Sequence, residues 1–125
     1  MAISTIWESE TTVRHIYEGS WRWDDLYAVL DETTTVLEDH EYVVDIIADF
    51  SNSSMLPPGP TSHFKHIEVF IKHPRVGKVV AVGTNTIIET FARIFMRFTR
   101  SNDRFLFAAT LEEAHAKLAD SRSPK

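Results

Sequence analysis

Tyr42-Val-Val-Asp-Ile-Ile-Ala-Asp-Phe50 runs without a break into Ser51-Asn-Ser-Ser-Met-Leu-Pro-Pro-Gly-Pro60. A near-continuous apolar run that ends in a polar, turn-rich loop predicts a strand buried on both faces, as in the middle of a parallel sheet. The carboxyl end of such a strand is where open α/β sheets place their ligands.

Working forward, Ser62–Lys72 predicts a helix with Phe64, Ile67, Phe70 and Ile71 on its inner face. Pro74 stops it, because the residue before a proline is pushed out of helical geometry. Val76–Gly83 is the next buried strand. Thr86-Ile-Ile-Glu89 has the spacing of a capping box, and the helix it opens runs to Phe98 or Thr99. Arg104–Ala109 is a further strand, and Thr110-Leu-Glu-Glu113 a second capping box opening a helix to about Ala119.

Working backward, Leu26, Val29, Leu30, Thr33, Val36 and Leu37 form one stripe, which predicts a helix from Trp21 or Arg22 to about Asp39. Ser20 is its expected N-cap, and its acidic residues face solvent. Thr33 to Thr35 weaken its middle. Ile3–Glu8 and Val13–Glu18 predict a hairpin with a four- or five-residue loop. The order β-β-α-β-α-β-α-β-α implies an α/β fold: a five-stranded, mostly parallel sheet with an N-terminal hairpin and four helices, joined by right-handed crossovers. Residues 1–119 form one domain, and 120–125 are expected to be a flexible tail.

The 125 residues, 43% hydrophobic and 25% charged, are an ordinary globular mixture. Nothing approaches the roughly 18 apolar residues of a membrane span. Met1–Trp7 lacks the features of a signal peptide. The absence of cysteine excludes disulfides and thiolate chemistry and fits a cytoplasmic location. A net charge of −5 argues against general nucleic-acid binding.

Four strings carry a family resemblance: Trp21-Arg-Trp-Asp-Asp-Leu26, Val44-Asp-Ile-Ile-Ala-Asp-Phe50, Val79-Val-Ala-Val-Gly-Thr-Asn85 and Ala108-Ala-Thr-Leu-Glu-Glu-Ala114. In this order they resemble the STAS-like family, in particular its SpoIIAA-like branch, over about residues 3 to 119. The resemblance implies a (βα)n superhelix related to the lipid-carrying CRAL-TRIO domains, and a non-catalytic regulatory or sensing role. The best-known members carry a phosphorylated serine in an Asp-Ser-Ser-Gly-like turn. The matching region here, Asp49 to Gly59, lacks that string and has prolines where the helix would begin, so no phosphoserine is carried over.

Several clusters are candidates for chemistry. Ser51, Ser53 and Ser54 offer hydroxyls and amides to an anion or polar ligand, against the ordinary reading of a loop that satisfies its own turns. Gly83, Thr84 and Asn85 lie between a buried strand and a helix, where capping is the ordinary reading. If the two loops share one end of the sheet, they form a single shallow pocket. Arg93, Arg97 and Arg100 fall on one helix stripe with Met96 on or beside it, a basic ridge for an acidic partner, an acidic ligand or an anionic membrane surface; a solvated face is the ordinary reading.

His63 and His66 are three apart, but His73 is roughly 10 Å further along, too far for one metal. Asp45 and Asp49 share a strand face with Cα atoms roughly 13 Å apart. That is wide for paired acid–base work, and loop bonding for Asp49 with Asp45 facing solvent or a partner is the simpler expectation. Trp21 and Trp23 are expected to pack over the sheet end.

No nucleophile, base and orienting partner assemble from these residues, and no cofactor is implied. The expectation is a non-enzymatic module that binds a protein partner or small ligand, as a homodimer. The alternative is a carrier of an apolar, lipid-like ligand, suggested by Phe91, Phe95 and Phe98.

Overall fold

The computed structural model describes residues 2–53 and 55–122. The sheet has five strands in the order β1 (Ile3–Ser9), β2 (Thr12–Glu18), β3 (Val44–Asn52), β4 (Val76–Val82) and β5 (Phe105–Ala108). The β1–β2 pair is antiparallel and the other three pairs are parallel. Helices α1 (Trp23–Glu38), α2 (Phe64–Ile71) and α3 (Thr86–Thr99) are the crossovers, and α4 (Leu111–Arg122) follows β5. The expected α/β architecture is therefore present.

Because each crossover advances the sheet in the same direction, a single hand places α1, α2 and α3 on one face. The larger core lies there, joining Leu26, Leu30, Phe64 and Phe95 to Val13, Ile46 and Val79 of the strands. The alternate strand residues Ile47, Val80, Val82 and Ala108 form a smaller core under Ala114 and Leu118 of α4. Glu8 ties α4 back to the hairpin: His115 Nε2 lies 2.6 Å from one carboxylate oxygen and Arg14 3.5 Å from the other. No helix among the described residues is long and apolar enough to cross a membrane.

Several element ends differ from the sequence expectation. Ser9 and Thr12 are paired, so the hairpin loop is only Glu10-Thr11. Helix α1 begins at Trp23, not Trp21 or Arg22, because Asp25 accepts from the backbone of Arg22 at 2.8 Å. Arg22, rather than Ser20, is the N-cap. The expected second helix splits into a 3-10 turn (Pro60–His63) and α2. Asn85, not Thr86, caps α3, its Oδ1 accepting from the Ile88 amide at 2.9 Å. Asp120–Arg122, expected as part of a tail, continue α4, and 123–125 lie outside the described residues.

Candidate functional site

Between the sheet and the α1–α3 layer lies an apolar cavity of about 100 Å³. Its floor is set by small side chains. Ala48 of β3 and Ala81 of β4 are register partners on the inner face, each next but one along its strand to a larger apolar residue, Ile46 and Val79. Two adjacent methyl groups leave a hollow that the rings above do not fill. Those rings include Trp21, Trp23, Phe91 and Phe95, with Phe50 and Phe105 from the strands. Trp21 and Trp23 meet edge to face at 5.1 Å, and Tyr17 stacks on Phe50 at 4.2 Å.

The tryptophans also hold the loop after β3 across the end of this layer. Trp21 Nε1 donates to the Met55 carbonyl at 3.1 Å and Trp23 Nε1 to the Pro58 carbonyl at 2.8 Å. Between those bonds Leu56 contributes to the cavity wall. Ser53 Oγ adds a bond to the Gly19 carbonyl at 2.7 Å. The indoles thus have their rings in the core and their N–H groups on the loop, the division of labour expected of a buried tryptophan.

Two side chains with polar atoms line the cavity from β2, His15 and Tyr17. They are two residues apart and so point to the same face. His15 is 1% exposed, and its Nε2 lies 2.9 Å from Thr33 Oγ1 of α1. Burial lowers its pKa to about 4, so the ring is neutral at neutral pH. Burial raises the pKa of the Tyr17 phenol above its ordinary value, so it too is uncharged. No Asp, Glu, Lys or Arg lines the cavity.

The two loops singled out in the sequence do meet. Phe50, Ser51, Asn52, Ser53, Gly83 and Asn85 line one shallow depression of about 290 Å³ at the carboxyl end of the sheet. Gly83, at φ +66°, makes this approach possible: a Cβ there would sit 2.7 Å from Ser51 Oγ. The groups within the depression are largely engaged with the fold. Ser53 bonds Gly19, Asn85 caps α3, and Asp49 Oδ1 accepts from the Ser51 amide at 3.0 Å. Thr84 faces an adjoining depression, where its hydroxyl donates to Glu89 at 3.1 Å and Glu113 stands nearby. Two carboxylates beside Thr84 make an unfavourable setting for an anion. Ser54 lies outside the described residues.

Arg93 and Arg97 of α3 are exposed, as is Arg100, which lies just past the helix as its left-handed C-cap, but Met96 is only 7% exposed and faces the core rather than the ridge. It follows Phe95 around a broad buried arc that also holds Ile88 and Thr99. Arg93 reaches Glu89 at 3.5 Å and lies 4.9 Å above the Phe107 ring. A separate apolar stripe, Ile87, Ile94 and Phe98, is exposed on the same helix, with Phe98 at 76%.

Asp45 is buried rather than solvent-facing. It sits over Gly77, where a Cβ would approach within 2.3 Å, and accepts from the Lys78 amide at 2.8 Å. His63 stacks on Trp23 and bonds the Tyr27 hydroxyl, while His66 stacks on Tyr27 and pairs with Asp31 at 3.3 Å. Among the described residues no three His, Asp or Glu side chains are grouped to hold a metal.

Alanine at 48 and 81 was the available sequence signal for the cavity. It becomes informative only once the β3–β4 register puts the two side by side. Comparison with known proteins finds no matching family model, no similar curated protein and no similar solved structure.

Proposed function

We propose that this protein is a non-enzymatic binding module, a sensing domain of the STAS-like kind, that takes a small apolar ligand into the cavity above Ala48 and Ala81. The observation that carries the reading is the cavity itself: about 100 Å³ of apolar space beneath a loop fastened by two indole N–H groups. An apolar cavity of about 150 Å³ stays dry and binds benzene, so one of about 100 Å³ suits an apolar molecule of that size or smaller. The carboxylates support a non-catalytic role, since Asp45 and Asp49 both accept from backbone amides. Toluene titrated into labelled protein tests it. Shifts confined to cavity residues, lost in Ala48→Leu, are expected; no shifts at millimolar toluene would remove the reading.

A second reading concerns the outer face of the α1–α3 layer. Phe98, Ile87 and Val69 are all more than half exposed there. The Arg97 and Arg100 side has its complement in the exposed acids Asp24, Asp31 and Glu32 of α1. A second copy turned about a two-fold axis near α2 would set each arginine ridge against the other's acidic helix. A dimer in sedimentation that is weakened by salt and by Phe98→Asp is the expected result. A monomer at high concentration would exclude it.

A further inference from the structure

Helix α3 and its neighbour α2 turn outward a face that is both apolar and basic. Ile87, Ile94 and Phe98 recur at helical spacing, so they form one line along α3, and all three are exposed. Arg93 and Arg97 run beside that line and Arg100 follows the last turn, each exposed. Arg93 shares Glu89 at 3.5 Å, while Arg97 and Arg100 have no ion-pair partner among the described residues. Phe98 reaches Phe64 of α2, 5.7 Å between rings, and the exposed Lys65, Val69 and Lys72 of α2 continue the surface. The charge of this face is opposite to that of the whole chain, which is −5. Helix α1 lies at the β1–β2 end of the layer and exposes Asp24, Asp31, Glu32 and Glu38. Helix α3 lies at the β5 end, with Phe95 against Phe105 and Arg93 over Phe107. The layer is therefore acidic at one end and basic at the other.

We propose that this face docks on an anionic membrane surface, with Ile87, Ile94 and Phe98 set among the headgroups and Arg93, Arg97 and Arg100 against the lipid phosphates. An exposed apolar line flanked by arginines is the pattern of helices that lie in the membrane interface, where apolar burial and attraction to anionic lipid add together. The arginine stems can follow the apolar boundary while their guanidinium groups stay at headgroup level. The uneven charge also orients the approach, with α3 towards the lipid and acidic α1 away from it. The two-fold pairing described above uses the same face, so a membrane and a second copy exclude each other there. Pairing about an axis near α2 would bring Lys65 and Lys72 of the two copies together, whereas an anionic surface attracts both. Docking of this kind does not depend on the cavity or on what fills it.

Co-sedimentation with vesicles tests this, comparing phosphatidylcholine alone with a mixture containing about one-third phosphatidylserine. The protein should pellet with the mixture and stay in solution with phosphatidylcholine alone. Salt should release it, because exposed charges are screened. Arg97→Gln and Arg100→Gln should each weaken binding about fivefold, the worth of one cation beside an anionic leaflet. Phe98→Ser should weaken it about tenfold through lost apolar burial. All three side chains are exposed, so the variants should melt with the parent protein. Equal binding to both kinds of vesicle would overturn the recognition of anionic lipid. Binding to the mixture that all three variants leave unchanged would overturn the assignment to this face. No binding to the mixture at low salt would overturn the proposal outright. If the protein then sediments as a dimer that Phe98→Ser breaks, the face belongs to a second copy.

Discussion

His15 Nε2 and Thr33 Oγ1 lie 2.9 Å apart, joining the second strand to the middle of α1 across eighteen residues of sequence. The contact sits inside the larger core, and burial holds the imidazole pKa near 4 against an ordinary 6.5. Above pH 6.5 the ring is neutral in both folded and unfolded chains and the stability is at its full value. As pH falls from 6.5 towards 4, the unfolded chain takes up a proton that the folded one refuses, so stability declines. By about pH 4 this contribution is spent. Urea unfolding should show a loss of about 2 kcal/mol between pH 7 and pH 5 from this group. His15→Leu with Thr33→Val should flatten that slope, and an unchanged slope would mean the ring is not the titrating group.

The alanine pair on the cavity floor gives an opposite prediction for stability and binding. Ala81→Val adds two methyl groups to space that is already apolar and empty. At about 0.8 kcal/mol per buried methylene, a gain of about 1 kcal/mol is expected, with weaker toluene binding. Ala48→Leu should remove binding altogether. A loss of more than 1 kcal/mol for Ala81→Val would show instead that the floor is already full and is being overpacked.

Gly83 and Gly59 share a backbone conformation but not surroundings. Their φ values are +66° and +69°, and a Cβ would meet nothing within 4 Å at Gly59 but Ser51 Oγ at 2.7 Å and Ser51 Cα at 3.0 Å at Gly83. Alanine at 59 should therefore cost only the left-handed strain, about 1 kcal/mol. Alanine at 83 should cost about 2 kcal/mol or more, since the two loops must also part. Ser51→Gly should recover only part of it, because the Ser51 backbone remains in the way. Equal losses at the two glycines in thermal unfolding would refute the close approach.

The strand and helix order was legible because each element carries its own local signal. The apolar run of β3, the Pro74 stop and the Thr110–Glu113 cap can all be read without knowing what lies across the sheet. What escaped was set by partners distant in sequence. Asp45 reads as an exposed carboxylate until Gly77 is placed opposite it, with room for the side chain and an amide to bond it. Met96 reads as part of a surface ridge until the buried arc of α3 proves broad enough to include it. The α3 cap moved one residue because Asn85 and Thr86 are both good capping residues, and only the chain path off Gly83 chooses between them. In the same way, His15 and Thr33 were each visible, but their pairing depends on how α1 settles on β2.

The loop from Met55 to Gly59 contributes Leu56 to the cavity wall, and two indole N–H bonds secure it. That makes it the expected route for ligand entry, and Trp23 the residue that controls the rate. Trp23→Phe keeps an aromatic ring against His63 and Phe91 while deleting the 2.8 Å bond to the Pro58 carbonyl. A stability loss of about 1 kcal/mol is expected, the net value of one hydrogen bond. The larger effect should be kinetic, with toluene exchange several-fold faster in line-shape analysis and amides after Gly59 exchanging sooner with solvent. Trp21→Phe, which loses the bond to Met55, should act in the same direction. Exchange at the parent rate in both variants would place the entry path elsewhere, between α1 and α2 rather than under this loop.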